Sequence, residues 1–314
     1  MKLSLIVPCF NEAENVAAFQ DATIGAFDGC NYDFEIIYID DGSKDATLHN
    51  LRKLYAEQKC PLKVVSFSRN FGKEAAIYAG LQHATGEYIS IIDADLQQRP
   101  EIVRDMVNFL EENQSYDMVA AYQDRRQESK LLTFFKKSFY TIINKLSDVN
   151  LKSDASDFRT FRRSVAESII SLAEYHRFSK GIFAWVGYQT HYIPYQVCPR
   201  AAGTSKWNFR KLFNYAIDGI IGYSIKPLRI STFLGGLSAF AALLYLIFVV
   251  LQKLIWSIDI PGYATIVVLI LFFGSIQLFS IGISGEYVGR IFEQSKNRPI
   301  YIAKEILNEN KDPK

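Results

Sequence analysis

The chain has 314 residues, of which 49% are hydrophobic and 22% are charged, and its formal net charge is +2. This length allows one large domain with an appendage, and so small a charge argues against a nucleic-acid partner held by charge alone. The four cysteines and four histidines show neither Cys-x-x-Cys nor zinc-ligand spacing, which indicates reduced thiols and excludes a disulfide framework.

Residues 1–113 alternate strand-like and helix-like patterns. Short apolar runs predict strands at 3–7, 34–39, 62–67 and 88–92. Amphipathic patterns predict helices at 12–26, 45–58 and 73–83, and another after Pro100. This alternation predicts a mostly parallel sheet with helices on both faces, and such sheets bind ligands at the carboxyl ends of their strands. The opening apolar stretch, residues 3–8, is too short for a signal peptide, so we expect this region to be cytoplasmic.

The next part of the chain is less regular. Residues 118–121 predict another strand, and residues 133–146 predict an amphipathic helix rich in Phe, Tyr and Lys. Residues 203–229 mix Lys, Arg, Trp and Phe. That mixture is typical of a helix on a membrane surface, although an ordinary amphipathic helix on the domain remains the alternative.

Two long apolar runs follow, at residues 230–251 and 263–285, and each has the roughly 20 residues that a bilayer-spanning helix needs. Basic residues flank the pair on its outer sides, whereas the connector 252–262 has one Lys. The positive-inside rule therefore predicts a multi-pass protein of the cell membrane with both termini in the cytoplasm. The predicted division is a catalytic domain at 1–202, a juxtamembrane segment at 203–229, the hairpin at 230–285 and a cytoplasmic tail at 286–314.

Polar motifs end three of the predicted strands. After the first, Pro8 ends the strand and Asn11 either caps the next helix or faces a nucleobase and ribose. After the second, Gly42 allows a tight turn, while Asp40 and Asp41 have no evident local role and suit a base N–H or a ribose hydroxyl.

The fourth strand ends in Asp93-Ala94-Asp95-Leu96-Gln97. Alternate residues of a strand share a face, so both carboxylates can point into one cleft and hold a divalent cation with a pyrophosphate. A surface turn is the alternative. The chain has neither G-x-G-x-x-G after its first strand nor a P-loop motif, which disfavours a dinucleotide enzyme and a P-loop NTPase.

These motifs resemble the family 2 glycosyltransferases with the GT-A fold. Further motifs at 156–159, 178–187, 200–206 and 286–290 resemble the polyprenyl-phosphate glycosyltransferases, among them dolichol-phosphate mannose synthases and bacterial bactoprenol glucosyltransferases. The resemblance covers almost the whole chain. It implies inverting transfer of a sugar to undecaprenyl phosphate, in a homotetramer, for decoration of the wall or of surface polysaccharide.

The resemblance also implies the site. The donor would contact Pro8, Asn11, Glu12, Asp40, Asp41 and Asp93. Mg²⁺ or Mn²⁺ would be held by Asp95 and Gln97, with Asp93 beside them. The acceptor phosphate would contact Arg125, Arg200, Ser205 and Lys206, although solvated or lipid-headgroup contacts are the alternative for these basic residues. Asp95 and Asp157 would be catalytic. The family's proposed base is Asp157, but a phosphate monoester is largely ionised at neutral pH, so this residue would orient the acceptor or tune Arg159 instead.

Several alternatives stay open. UDP-glucose is the expected donor, with UDP-N-acetylglucosamine, a formylated aminoarabinose donor and GDP-mannose as the others, because one side chain can change sugar specificity. A processive polysaccharide synthase would need a Gln-x-x-Arg-Trp motif and more membrane helices, and a non-catalytic scaffold would lack the metal ligands. The chain departs from the family where Gln98-Arg99 follows Gln97, close enough to affect the charge of the metal site.

Overall fold

The computed structural model describes residues 2–30, 32–123, 144, 155–196, 219–256 and 262–308. Strands and helices alternate through the first part of the chain, as predicted. In order they are β1 (Lys2–Cys9), α1 (Val16–Phe27), β2 (Asp33–Asp40), α2 (Thr47–Glu57), β3 (Leu62–Phe67), α3 (Lys73–His83), β4 (Tyr88–Ile91) and α4 (Pro100–Glu112). Pro100 opens α4, the position where a missing N–H costs nothing.

The second part of the chain completes the domain and adds a pair of long helices. Its elements are β5 (Met118–Gln123), β6 (Ala155–Arg162), α5 (Arg163–Ser171), α6 (Ser179–Trp185), β7 (Thr190–Tyr195), α7 (Lys226–Trp256), α8 (Tyr263–Ser295) and β8 (Ala303–Leu307).

All eight strands belong to one sheet, in the order β7-β5-β6-β4-β1-β2-β3-β8. The four central strands β4, β1, β2 and β3 are parallel, while β6 and β8 run the opposite way. The prediction of a mostly parallel sheet is therefore confirmed. The carboxyl ends of β1, β2 and β4 meet at one edge, which brings their polar motifs together.

Apolar side chains fill a separate core on each face of the sheet. One core packs α1, α2 and α4 through Phe19, Leu51 and Val103, all fully buried. The other packs α3, α5 and α6 through Ala76, Val165 and Ile182. The strands between them are buried on both faces, which explains why their sequences are continuously apolar rather than alternating.

The two apolar runs are parts of longer helices, α7 and α8, which pack against each other. The segments Lys226–Gln252 and Thr265–Ser295 have mean hydropathies of 2.4 and 2.5, and neither is covered by the rest of the described protein. Large apolar side chains such as Phe240 and Leu271 are 60% and 64% exposed along them. These two helices are long and apolar enough to cross a membrane.

A strand that the sequence did not predict follows the second long helix. β8 pairs antiparallel with β3 at the edge of the sheet, with Val65 opposite Ile306. Tyr301 stacks on Phe67 with ring centroids 4.8 Å apart. The segment predicted as a cytoplasmic tail therefore contains the end of α8 and a strand of the catalytic domain's own sheet.

At the first strand end, one local prediction is wrong and one of the two alternatives for Asn11 is excluded. β1 continues through Pro8 to Cys9, because both residues pair with β2. Asn11 does not cap α1, because this helix begins at Val16 and Asn15 occupies the N-cap position. The helix predicted at 133–146, apart from Asn144, and the first part of the segment predicted at 203–229 lie outside the described residues.

Candidate active site

The loops after β1 and β2 are joined by hydrogen bonds into one layer. The Asn11 backbone N–H donates to Ser43 Oγ at 2.9 Å, and Asn11 Oδ1 accepts the Lys44 amide at 2.9 Å. Next to them, the Glu12 amide donates to Thr47 Oγ1 at 2.8 Å. Asn11 adopts a φ of +56°, which an Asn tolerates better than most residues. The two predicted donor-binding loops therefore form one continuous surface.

Asp40 lies at the end of β2 and has a local role that the sequence did not reveal. Its side chain is buried, with Oδ1 accepting the Ser43 amide at 3.0 Å and Oδ2 accepting from Ser66 Oγ at 2.8 Å. One carboxylate oxygen thus stabilises the turn after β2, and the other bonds that turn to the neighbouring strand β3.

Asp41 fixes the approach to α3 in the same way. Its Oδ1 accepts the Phe71 amide at 2.6 Å and its Oδ2 accepts the Gly72 amide at 2.9 Å. The expectation that Asp40 and Asp41 lack a local role is wrong, while their proposed contact with a donor stays a prediction.

Two features of this turn, its backbone conformation and its close packing, require a glycine at position 42. Its φ is +64°, and a Cβ there would lie 2.4 Å from the Arg69 carbonyl carbon. The loop before α3 therefore passes directly over the Asp40-Asp41 turn, and a side chain at position 42 would push it away.

The loop after β4 holds the carboxylate pair that defines the site. The Asp93 backbone N–H donates to Gln98 Oε1 at 3.0 Å, and Gln98 Nε2 donates to Asp93 Oδ2 at 3.2 Å. Asp95 Oδ1 accepts the Gln97 amide at 3.2 Å, across Leu96 at a φ of +59°. Gln98, at which the chain departs from the family pattern, can donate to Asp93 because its side-chain amide carries N–H groups.

Strand β6 brings Asp157 beside this loop. Because β6 runs antiparallel to β4, with Ile91 opposite Arg159, the start of β6 lies next to the end of β4. Asp93 follows Ile91 by two residues and Asp157 precedes Arg159 by two, so the antiparallel pairing leaves both just beyond this pair on the same side. An ammonium lies between them: Lys73 Nζ is 2.6 Å from Asp93 Oδ1 and 3.6 Å from Asp157 Oδ2.

The charges in this cluster stabilise one another. Desolvation would lower the pKa of Lys73, but Asp93 and Asp157 outweigh it and raise that pKa above its ordinary value. Burial would raise the pKa of Asp157, but Lys73, Lys180 and Arg159 outweigh it and hold the pKa below its ordinary value. Asp157 is therefore a carboxylate at neutral pH, with a cation already at hand.

One oxygen of this carboxylate has no donor. Asp157 Oδ1 is buried and has no hydrogen-bond partner among the described residues. Such an orphan costs free energy unless another group supplies a donor. Because a carboxylate oxygen can only accept, Asp157 Oδ1 is suited to accept a hydrogen bond from a hydroxyl of a ligand.

Glu74 follows Lys73 and links the cluster to α6. Its Oε2 accepts the Ser179 amide at 2.8 Å and also the Ser179 hydroxyl. Burial, followed by the charge of Asp157, raises the pKa of Glu74 to about 7, against the opposing effect of the Ser179 bonds.

The predicted metal ligands come together only in part. Among the described residues no three His, Cys, Asp or Glu side chains form a ready-made metal centre. Asp95 and Gln97 share one tight turn, while Asp93 is held by Lys73 and Gln98. This donor set fits Mg²⁺ or Mn²⁺, since these hard ions use one or two carboxylates and complete their shell with water and substrate phosphates.

The sequence patterns did not predict the roles of Lys73 and Glu74. Both begin α3, and the role of Lys73 depends on Asp157, which the antiparallel strand β6 brings beside the end of β4. Four predicted acceptor-phosphate residues lie outside the described residues: Arg125, Arg200, Ser205 and Lys206.

The α/β sheet and the carboxylates at its edge suit a sugar transferase, and comparison with known proteins shows the family. Residues 4–170, more than half of the chain, match the family model of glycosyl transferase family 2. Residues 226–291 match the model of the GtrB C-terminal hairpin. The chain belongs to glycosyl transferase family 2 and carries a GtrB-type hairpin, so its predicted fold and enzyme class are confirmed.

Its relatives are similar over their full lengths. The chain is 41% identical to the bactoprenol glucosyl transferase of Shigella phage SfV, covering 97% of this chain and 98% of that protein. It is 40% identical to the putative glycosyltransferase CsbB of Bacillus subtilis, over 99% and 93% of the two chains. Among solved structures, glucosyl-3-phosphoglycerate synthase of Mycobacterium tuberculosis covers 70% of this chain at 18% identity, with a TM-score of 0.49.

Proposed function

We propose that this protein transfers a glucosyl group from UDP-glucose to undecaprenyl phosphate at the cytoplasmic face of the membrane. The observation that carries the proposal is 41% identity, over nearly the full length of both chains, to a bactoprenol glucosyl transferase. The described geometry supports it, since carboxylates and a lysine meet at the edge of the sheet where such ligands bind.

The reaction is a single displacement in this proposal. An oxygen of the lipid phosphate attacks the anomeric carbon of the donor as the bond to the nucleoside diphosphate breaks. The diphosphate leaves with the bonding electron pair, and the sugar becomes β-linked to the lipid phosphate with inversion. A divalent cation at Asp95 and Gln97 would neutralise charge on the leaving diphosphate. Asp157 orients the acceptor, because a phosphate monoester at neutral pH needs no base.

The donor-binding roles follow the layer of loops at the carboxyl edge. Pro8, Asn11 and Glu12 on the first loop, with Asp40 and Asp41 beneath the second, would support the nucleoside. Asp93 would lie between the ribose and the metal. Since Asp40 and Asp41 give their oxygens to backbone amides, their support for the nucleoside would come chiefly from holding the loops in place.

The orientation in the membrane is supported by β8. Because β8 pairs with β3 after both long helices have been traversed, the two outer ends of the hairpin lie on the side of the catalytic domain. Basic residues stand at those ends, including Lys226, Arg229, Arg290 and Lys296. By the positive-inside rule, that side would be the cytoplasmic one. Binding of the acceptor phosphate by Arg125, Arg200, Ser205 and Lys206, and assembly as a homotetramer, stay part of the proposal.

The test is an assay of membranes containing the full-length protein with undecaprenyl phosphate and radiolabelled nucleotide sugars. A single-sugar lipid formed from UDP-glucose, and abolished by a chelator, would support the proposal. A lipid formed only from UDP-N-acetylglucosamine, a formylated aminoarabinose donor or GDP-mannose would overturn the choice of donor. A polymer would indicate a processive synthase, and no product with any donor would indicate a scaffold.

A further inference from the structure

Residues 173–181, here called the bridge segment, lead from the end of α5 into the first turn of α6 and contact both the site and the helical hairpin. At one end, Ser179 donates its amide and hydroxyl to Glu74, the neighbour of Lys73. At the other end, residues 173–176 contact the last turn of α8. The bridge segment therefore joins the carboxylate cluster to the second long helix.

The contact with α8 is a two-point clamp made by Gln294. The Tyr175 amide donates to Gln294 Oε1 at 2.8 Å, and Gln294 Nε2 donates to the Ala173 carbonyl at 2.8 Å. One side-chain amide thus accepts from and donates to the backbone as a neighbouring strand would. Beside it, His176 contacts the Glu293 carboxylate. This pattern fixes the position of the segment along the helix as well as its distance from it.

The residues that lead into the other long helix, α7, contact the same segment. Tyr223, three residues before α7, packs on Phe178 with ring centroids 6.0 Å apart. A Cβ at Gly181 would lie 2.4 Å from the Tyr223 ring, so only Gly allows this approach. The outer ends of the hairpin are themselves joined, since Tyr287 Oη donates to the Ser224 carbonyl at 2.6 Å.

We infer that Gln294 is a positioning residue for the lipid acceptor. The inference rests on the proposed function, and its reason is geometric. The phosphate of a membrane-embedded acceptor stays close to the depth of the headgroups, so the reacting site must be held at that depth. The hairpin is the part of the chain that defines the depth. Through Gln294, the bridge segment and Glu74, the hairpin sets the position of α6 and the Lys73–Asp157 pair relative to the bilayer.

The first experiment compares Gln294→Ala with Ser295→Ala in full-length protein reconstituted with undecaprenyl phosphate. Ser295 is the matched control because its hydroxyl donates to Phe292 in its own helix. Gln294→Ala should raise the acceptor KM about tenfold, the scale of two lost hydrogen bonds, with unchanged UDP affinity. Ser295→Ala should match the wild type in both quantities. Equal losses of UDP affinity and acceptor affinity in Gln294→Ala would overturn the inference, because they would indicate general damage.

A second comparison uses the contact on the other side of the segment. Gly181→Ala should raise the acceptor KM at least as much, because the added methyl must displace Tyr223. Gly222→Ala adds a methyl with nothing within 4 Å and should leave the kinetics as they are. A wild-type acceptor KM in Gly181→Ala would contradict a bridge segment that positions the acceptor.

Hydrogen exchange supplies a readout that needs no acceptor and no turnover. The amides of Tyr175 and Ser179 should exchange faster in Gln294→Ala, while β1 to β4 keep wild-type protection. Unchanged exchange at both amides would overturn the clamp even if activity fell. If the wild type makes no glucosyl lipid, the proposed function fails, and the exchange result still decides whether Gln294 positions the segment.

Discussion

The two ends of the parallel strands carry clusters of the same kinds of side chain, which differ in their exposure and in their hydrogen-bond partners. At the amino ends, Lys63 Nζ is 2.8 Å from Glu35 Oε2, and the two side chains are 10% and 2% exposed. Ser4 Oγ and the Thr85 amide donate to the other oxygen of Glu35, at 2.6 and 2.9 Å. Every group in this cluster, here called the closed cluster, has a partner, and water has little access to it.

At the carboxyl ends, the corresponding cluster is accessible to solvent; it consists of Lys73, Asp93 and Asp157 and is here called the open cluster. Lys73 is shared by two carboxylates, and its side chain is 42% exposed, against 34% for Asp93 and 22% for Asp157. One oxygen of Asp157 has no partner among the described residues. Both clusters are charged, so charge does not distinguish them. What distinguishes the cluster that stabilises the sheet from the one suited to bind a ligand is whether every polar group already has a hydrogen-bond partner.

The largest expected effect is on the closed cluster. Glu35→Gln leaves the Lys63 ammonium buried without a counter-charge, which should lower the free energy of unfolding by about 3–5 kcal/mol. Thermal melting of the full-length protein in detergent measures the effect. The double variant Glu35→Leu with Lys63→Met should recover much of the loss, because it removes both charges. A melting temperature equal to the wild type in Glu35→Gln would contradict the role of this pair.

The next effect separates two carboxylates of the open site. Asp95→Asn should lower kcat about a hundredfold, as expected when a preorganised charge at the leaving group is lost. Asp157→Asn should lower it much less, about tenfold, because the acceptor is already ionised. Initial rates of glucosyl lipid formation measure both, with melting temperatures as the control for folding. Equal losses in two folded variants would support a proton transfer by Asp157.

Lys73→Met tests whether the open cluster depends on its shared cation. Without the ammonium, Asp93 and Asp157 repel each other and the anionic substrates, so kcat/KM should fall about tenfold, while the melting temperature changes much less than in Glu35→Gln. Lys73→Arg keeps the charge and should retain more activity than Lys73→Met. The same substitution at Lys53, exposed on α2, is the control. A melting loss as large as that of Glu35→Gln would show that the open cluster is also a structural one.

The smallest effect is the response of the closed cluster to acid. Burial would raise the pKa of Glu35, but bonds from Lys63, Ser4 and Thr85 outweigh it and lower the pKa from 4.5 to about 2. A lowered pKa gives stability that is fully present above pH 4.5 and is lost as pH falls toward about 2. The melting temperature of the wild type should therefore fall through that range more than that of Glu35→Gln. Asp21→Asn, in the exposed pair with Lys59, should follow the wild type.

Much of this architecture was predictable because local patterns and tertiary structure agree. The strand at 62–67 and the helix at 73–83 were predicted with the bounds they have, since apolar runs and turn residues delimit both clearly. The grouping of Asp40, Asp93 and Asp95 at one edge followed from the rule on parallel strands. The metal and donor roles of those residues remain predictions.

What escaped prediction depends on contacts between distant parts of the chain. Lys73 matters because antiparallel β6 brings Asp157 to the end of β4, and no local pattern gives the direction of β6. The roles of Asp40 and Asp41 depend on amides 3 to 31 residues away. β8 is an edge strand of only five residues. Its partner β3 lies some 240 residues earlier in the chain, and the pairing of such a short strand depends on that distant partner rather than on a local sequence pattern.

The pairing of β8 with β3 has a consequence for biosynthesis. The ribosome makes β3 early, yet the strand that covers its outer edge is made after both long helices. Until then β3 presents unpaired N–H and C=O groups, the condition under which sheets associate edge to edge. The sheet can therefore be completed only after both helices of the hairpin have been made, and a nascent chain that stops within α8 should be prone to aggregate. Synthesis of the hairpin and completion of the sheet are in this way successive steps of one assembly process.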